Sequence, residues 1–389
     1  MIQVPKLKLK RNCDRRLRNG HLWVFSNELE KVPKFESGSL VEILNQENRI
    51  YGLAFYNPQS LISARLLLTS DSNLKSVISN RIEKAISLRN EIYPNEECVR
   101  LIFGESDLLP GLIVDKFENY LCVQHYSAGM DRNKVLINDI LKEHFPDLIG
   151  IIEKNTSSLR LLEGLEQNEA VLWGNAAGSV NTSENGIKLI LDLFKGQKTG
   201  YFLDQKDNRK YIQTISKNKK VLDCFCNLGG FALNAAAGGA ESALGLDVSE
   251  AAVDSAISNA KINNFRNVNF LKADVFDFLE NCTESYDIII LDPPAFAKSK
   301  KVLATALKGY AKINRLALKL IPDDGYLVSS SCSQHVDESE FLNLISNEAA
   351  KQSIQLKLIY RGAQSQDHPV LSSMPETRYL KFFVFKISR

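Results

Sequence analysis

From about residue 190 onward the chain alternates between short apolar runs and longer amphipathic ones, and no other feature restricts its fold so strongly. "KVLDCF", "ESALGLDV", "VNFLKADV", "YDIIILDP" and "GYLVSSSC" read as five strands. "FALNAAAGG", "SEAAVDSAISNAKINN", "VFDFLENC" and "LATALKGYAKINRLALKLI" read as the helices between them. A helix between two strands is long enough to carry the chain back across a sheet, so the rhythm predicts a parallel sheet covered on both faces. Two closing runs, "IQLKLIYRG" and "RYLKFFVFKI", are separated by a long turn and can pair antiparallel. Open α/β sheets bind ligands at the carboxyl ends of their strands, so the residues that end each run are the ones to read for chemistry.

A chain of 389 residues exceeds one ordinary core, and two or three domains are expected. Residues 1–70 read as a small β domain with the strand-like runs "GSLVEILN", "RIYGLAFYN" and "LISARLLL". Residues 72–190 read as a small α+β domain. It opens with a helix carrying Leu74, Val77, Ile78, Ile82, Ala85 and Ile86 near a 3.6 period. "LLPGLIVDKFENYL" predicts a hairpin turned at Phe117–Asn119. Residues 191–389 form the α/β domain.

Charge and thiols narrow the setting. The net charge is +2, yet the first twenty residues hold Lys6, Lys8, Lys10, Arg11, Arg15, Arg16 and Arg18 against the single acid Asp14. Such a cluster is either a solvated face or a surface that tracks phosphates, with Lys8, Lys10 and Arg11 as candidate contacts. Seven cysteines, an odd number without a C-x-x-C pair, argue against a disulfide framework and for a reducing cytoplasm. Cys224 and Cys226 lack partners at zinc-ligand spacing, so no metal is expected. No apolar run reaches bilayer length and no secretory core opens the chain, so no membrane role is expected.

The first strand end, "LDCFCNLGGFA", is a poor dinucleotide fingerprint. Asp223 precedes its glycines, and a carboxylate there suits a cationic ligand better than a diphosphate. Asp247 ends the second strand and fits the position that binds ribose hydroxyls. Asp274 ends the third and could accept from an adenine amino group, with Val275 packing on the ring. Residues 190–336 resemble the class I S-adenosylmethionine-dependent methyltransferases, whose first motif reads D-x-F-x-G-x-G-x-F in several RNA-modifying branches. Asp223, Phe225, Asn227, Gly229 and Phe231 stand in that frame, with Asn227 replacing the first glycine. The resemblance implies S-adenosylmethionine as cofactor at these residues and a Rossmann-like sheet of seven strands with an antiparallel last strand. The segment "DLFKGQKTGYFLDQKDNR" resembles a stretch that folds over the cofactor in the large-subunit ribosomal RNA branch, which implies Phe202 and Gln205 as further contacts.

The fourth strand ends in Asp292-Pro293-Pro294, a rigid turn whose carboxylate and carbonyl can grip the polar edge of a base, with Phe296 following. The fifth ends in Ser331-Cys332-Ser333. A cysteine at a strand tip is more often inert than reactive, but this one resembles the T-C-S motif of RNA cytosine-C5 methyltransferases, which implies Cys332 as a nucleophile. "RRLRNGHLWVFSNELEKV" and the strands after it resemble the PUA domain that heads the bacterial 23S ribosomal RNA cytosine-C5 enzymes. Taken together, the resemblance implies 5-methylcytosine formation in 23S ribosomal RNA. Two rivals stand beside it: the same fold methylating guanine N7 or adenine N6 with Cys332 a bystander, and a non-catalytic RNA-binding module. A homodimer is compatible with either.

Overall fold

Lys6, Leu7 and Lys8 alternate exposed, buried, exposed, the period of a strand with one wet face. In the computed structural model this strand pairs in parallel with Ser39–Leu44, and Ile50–Tyr56, Ala64–Leu66 and Trp23–Val24 complete a five-stranded sheet. The structure describes residues 4–32, 35–175, 178–196, 199–297 and 300–389. The chain forms two compact units, the first made of residues 1–182, 191–203 and 366–377 and the second of 183–190, 204–365 and 378–389.

The first unit holds two separate cores. Leu7, Val24, Val41, Ile43, Ala54 and Leu66 fill the one beneath the sheet just described. A second five-stranded sheet runs Asn168–Gly174, Gly150–Asn155, Tyr120–His125, Leu112–Phe117, Cys98–Phe103 in spatial order. Phe117 pairs with Tyr120, so the hairpin turns at Glu118-Asn119, where Glu118 takes φ 53°. The helices Leu74–Ile92 and Lys134–His144 contribute Ile78, Ile82, Ile137, Ile140 and Leu141 to the core of this second sheet.

Glu163 ties these two parts together. Its Oε1 accepts from Ser60 Oγ at 2.6 Å and Arg65 Nη2 at 2.8 Å, and its Oε2 from Asn57 Nδ2 at 3.0 Å. Burial alone would push this carboxyl up, but Arg65, Ser60 and Asn57 together hold it below its ordinary value.

The second unit contains a seven-stranded sheet: β1 (Lys220–Cys224), β2 (Ser242–Asp247), β3 (Val268–Lys272), β4 (Ile288–Leu291), β5 (Tyr326–Ser331), β6 (Gln355–Gly362) and β7 (Lys381–Ser388). Spatial order is β3-β2-β1-β4-β5-β7-β6, with β7 antiparallel to both neighbours. Helices α1 (Lys206–Ile215), α2 (Gly230–Ala237), α3 (Glu250–Ile262), α4 (Val275–Asn281), α5 (Leu303–Leu320) and α6 (Glu338–Ala350) accompany it. Strand order reverses between β1 and β4, which opens a crevice at their carboxyl ends. Among the described residues no helix is long and apolar enough to cross a membrane.

Removing one partner of a buried ion pair leaves the other charge uncompensated. Glu163→Ala should therefore destabilise the first unit by about 3–5 kcal/mol. Both tryptophans, Trp23 and Trp173, lie in that unit, so urea unfolding followed by tryptophan fluorescence reads it directly. An unchanged midpoint would remove Glu163 from this role.

Candidate active site

The loop after β1 is wound by three left-handed residues, Phe225 (φ 66°), Asn227 (φ 48°) and Gly229 (φ 83°). Asn tolerates that conformation and Gly is indifferent to it, but Phe is strained there, so the surroundings must hold the turn. They do so through Cys226 N, which donates to Leu246 O at 2.8 Å, and Asn227 N, which donates to Asp247 Oδ2 at 2.9 Å. A Cβ at Gly229 would lie 2.7 Å from the Phe270 ring, so this position needs glycine for space as well as for φ.

Asp223 is fully buried within β1. Its Oδ2 accepts from Ala232 N at 2.9 Å, whereas Oδ1 has no hydrogen-bond partner among the described residues. Burial, with added repulsion from Asp292 and Asp247, pushes this carboxyl up to about 8. A buried acceptor lacking a donor fits a ligand that brings a positive one. Asp247 is half-buried and accepts from Ser249 N as well as Asn227 N, so it shapes the loop it is expected to serve. Asp274 is exposed and caps α4, its Oδ1 accepting from Phe276 N (2.8 Å) and Asp277 N (3.1 Å). Val275 lies in the hydrophobic core instead of facing a ligand, because the cap turns it inward as the first residue of α4.

Beyond β4, Asp292 Oδ1 accepts from Gln205 Nε2 at 2.8 Å and from Ser330 Oγ at 2.7 Å. Gln205 Nε2 also lies 3.1 Å from Ser330 Oγ, and Gln205 Oε1 accepts from Asn208 Nδ2 at 2.6 Å. The structure thus gives Gln205, expected at the cofactor, the task of orienting Asp292. Burial raises the Asp292 carboxyl to about 6 against the opposing pull of Ser330 and Gln205. Cys332 follows β5, two residues past Ser330, and is half-buried. Its neighbours are fixed by Tyr310 of α5, whose hydroxyl lies 3.0 Å from Ser331 Oγ and 3.1 Å from Ser333 Oγ.

Other expected residues are placed differently. Pro293 is buried and Pro294 exposed. Phe296 packs on Tyr310 (ring centroids 4.8 Å) and Phe276 (6.3 Å), which makes it part of the core margin. Phe202 is half-buried and belongs to the first unit, as do Lys8, Lys10 and Arg11. Those three side chains are exposed and form no ion pair among the described residues. His368, also in the first unit, is buried against Asp367 at 2.7 Å. Ser330 and Tyr310 were not foreseen, because neither has a sequence signature. Lys381, one of three cations in "RYLKFFVFKI", was not foreseen either; it is buried and donates to Ser333 O and Val336 O on the turn after Cys332.

A seven-stranded sheet in this order, with an acid at the first strand, a glycine turn and acids on the next two strand ends, defines a class I S-adenosylmethionine-dependent methyltransferase. Residues 163–384 match the S-adenosylmethionine-dependent methyltransferase family, and residues 7–69 match the PUA-like domain family. The chain is 38% identical to ribosomal RNA large subunit methyltransferase I of Aliivibrio fischeri, covering 97% of this chain and 98% of the relative. It is 37% identical to the protein of that name from Vibrio cholerae, covering 99% and 100%. It belongs to the ribosomal RNA large subunit methyltransferase I family. Two solved structures share its fold. One is a candidate SAM-dependent methyltransferase from Streptococcus mutans (TM-score 0.83, 22% identity, 98% of this chain and 100% of that one). The other is a candidate methyltransferase complexed with SAH (TM-score 0.85, 23% identity, 98% and 100%).

The raised Asp223 carboxyl has a measurable consequence. A folded-state value near 8 against an ordinary 3.8 means that folding takes up a proton between those pH values. The stability contributed is full below about pH 4 and is lost as pH rises toward 8, at up to about 1.4 kcal/mol per pH unit. Asp223→Asn should therefore gain stability relative to the parent chain as pH is raised from 5 to 8 without ligand. Thermal unfolding across that range checks it, and a pH-independent difference would show an ordinary carboxyl.

Proposed function

We propose that this chain methylates C5 of a cytosine in large-subunit ribosomal RNA, with Cys332 as a covalent nucleophile. The names of the relatives support the RNA substrate. The observation that carries the choice of base is the succession Ser330–Cys332: Ser330 holds Asp292, and the half-buried thiol follows on the same strand end. In this reading residues 1–70 bind RNA, residues 72–190 form a separate small domain and residues 191–389 carry the chemistry.

Asp223, Phe225, Asn227, Gly229, Asp247 and Asp274 hold the cofactor. When bound, S-adenosylmethionine supplies an electrophilic methyl group. Cytosine C5 is a poor nucleophile, so the work of this chain is to activate it. Cys332 Sγ adds to C6, and the C5=C6 electron pair shifts through C5 toward N3. A carboxyl near 6 is partly protonated around neutrality, so Asp292 can pass a proton to N3 and leave C5 enamine-like. After C5 has taken the methyl group, its proton leaves to solvent. The C5=C6 bond reforms, the S–C6 bond breaks, thiolate is expelled and N3 returns its proton to Asp292. In this reading the carbonyl of the exposed Pro294 accepts from the exocyclic amine.

RNA carrying 5-fluorocytosine at the target should trap the enzyme, because fluorine cannot leave as a proton. A covalent protein–RNA band should then require both S-adenosylmethionine and Cys332. Cys332→Ala that still makes 5-methylcytosine at a similar rate would falsify the covalent route. If that variant methylates a guanine or an adenine instead, the base assignment falls with it.

Lys8, Lys10 and Arg11 offer exposed cations on the PUA-like part. If they track phosphates, replacing all three with Gln should flatten the salt dependence of RNA affinity. The slope should drop by about 0.7–0.9 per lost contact. An unaltered slope would leave the cluster as a solvated face.

A further inference from the structure

A cavity of about 520 Å³ lies in the first unit. The chain leaving the PUA-like part at Leu68 and Thr69, the helix Leu74–Ile92 and the turn at Ser106 and Leu108 line it. That is the volume of a small-molecule site, not of a bare ion. Arg81 of the helix lines the cavity and is half-buried. Its Nη1 donates to Leu108 O and its Nη2 to Leu67 O. Each carbonyl sits at or beside a leucine in left-handed backbone, Leu108 (φ 58°) and Leu68 (φ 47°), a conformation that strains a residue with a side chain. One guanidinium thus pins two strained turns against the same space.

Two other cations of this helix, Lys75 and Arg89, pair with Glu143 at 3.0 Å and Asp107 at 2.6 Å, whereas Arg81 and Lys84 take part in no ion pair among the described residues. A guanidinium carries five N–H donors and keeps its charge, so two carbonyls leave both the charge and several donors unanswered. Burial pulls Arg81 down to about 10, the mark of a cation partly stripped of water, yet it stays charged at neutral pH. Lys84 is exposed, lines the same cavity and lies three residues on, where helix side chains are neighbours. Ser106 adds a hydroxyl whose Oγ is buried without a hydrogen-bond partner among the described residues. Two acids share the lining. Asp107 is neutralised by Arg89, its oxygens accepting from Nη1 at 2.6 Å and Nη2 at 2.8 Å. Asp71 is exposed and accepts from Asn73 N at 2.9 Å. Arg81 and Lys84 therefore outweigh Asp71, and the cavity suits an anion.

We propose that this cavity binds a phosphate group of the RNA backbone, with the Arg81 guanidinium, the Lys84 ammonium and the Ser106 hydroxyl as its donors. The proposal rests on the RNA reading given above and adds to it a phosphate site outside the basic N-terminus. A planar guanidinium matches phosphate oxygens with directed donors, and an ammonium adds a point charge. Leu68 and Thr69 stand at the end of the PUA-like match, so a strand lying on that part can continue into the cavity. Because Arg81 is held by two carbonyls, its charge is in place before RNA arrives.

The test measures the affinity of the full chain for a large-subunit ribosomal RNA transcript over a salt series, together with acetylation of Lys84 read by mass mapping. Lys84→Gln should lower the log–log salt slope by about 0.7–0.9, the release of one phosphate contact, and Lys84→Arg should restore it. Arg81→Gln should remove a similar step and Arg81→Lys should keep it, which separates the charge from the pinning of the turns. RNA should protect Lys84 from acetylation, and inorganic phosphate at the same phosphate concentration should protect it less. Protection by inorganic phosphate as good as that by RNA overturns the backbone assignment in favour of a small phosphate ligand. A parent-like slope in Lys84→Gln, equal slopes in Arg81→Gln and Arg81→Lys, or Lys84 acetylated equally fast with and without RNA overturns the proposal. A slope that falls on replacing Lys8, Lys10 and Arg11 but not Lys84 overturns this site alone. A chain that binds no ribosomal RNA overturns the RNA reading as well.

Discussion

One oxygen organises the candidate active site. Asp292 Oδ1 receives hydrogen bonds from Gln205, just before α1, and from Ser330, on β5. Three stretches distant in sequence meet at one carboxylate at the edge of the crevice between β1 and β4. Two donors on the same oxygen fix the plane of the carboxyl, and burial lifts its proton affinity at the same time. The opposing effects leave a group that can give or take a proton near neutrality. A fully solvated aspartate would be ionised there, and one buried without donors would stay protonated.

The sheet was legible because its information is local. Each strand is a short apolar run, each connection a helix, and the acids at the ends of β1, β2 and β4 follow from chain order alone. The turn at Phe225–Gly229 was legible for the same reason, since Asn227 and Gly229 are residue types that accept left-handed backbone. What the sequence hid are pairings across long separations. Gln205 and Asp292 are 87 residues apart, and a glutamine before a helix reads equally well as a ligand contact or as a support. Phe296 was hidden differently: an aromatic after a proline turn suggests stacking on a base, but packing against Tyr310 and Phe276 draws it to the core. The stretches 191–203 and 366–377, which cluster with the first unit, are also invisible to a linear division of the chain.

The placement of the thiols follows from the same electrostatics. Cys224 and Cys226 stand at the end of β1, where a nucleophile might be sought first. Both are buried, and burial together with the nearby acid Asp223 drives their thiols strongly toward the neutral form; Asp247 adds to this for Cys226. The carboxylates that suit this end of the sheet to a cationic cofactor therefore make it hostile to a thiolate. Two strands away the surroundings differ. Cys332 is half-buried just past β5, and β7 sets the buried Lys381 opposite Ser331, the residue before it. Because β7 runs antiparallel, its first residue, not its last, lies at the carboxyl end of β5. The reversed strand thus brings a cation from the start of its own run to the carboxyl end of β5.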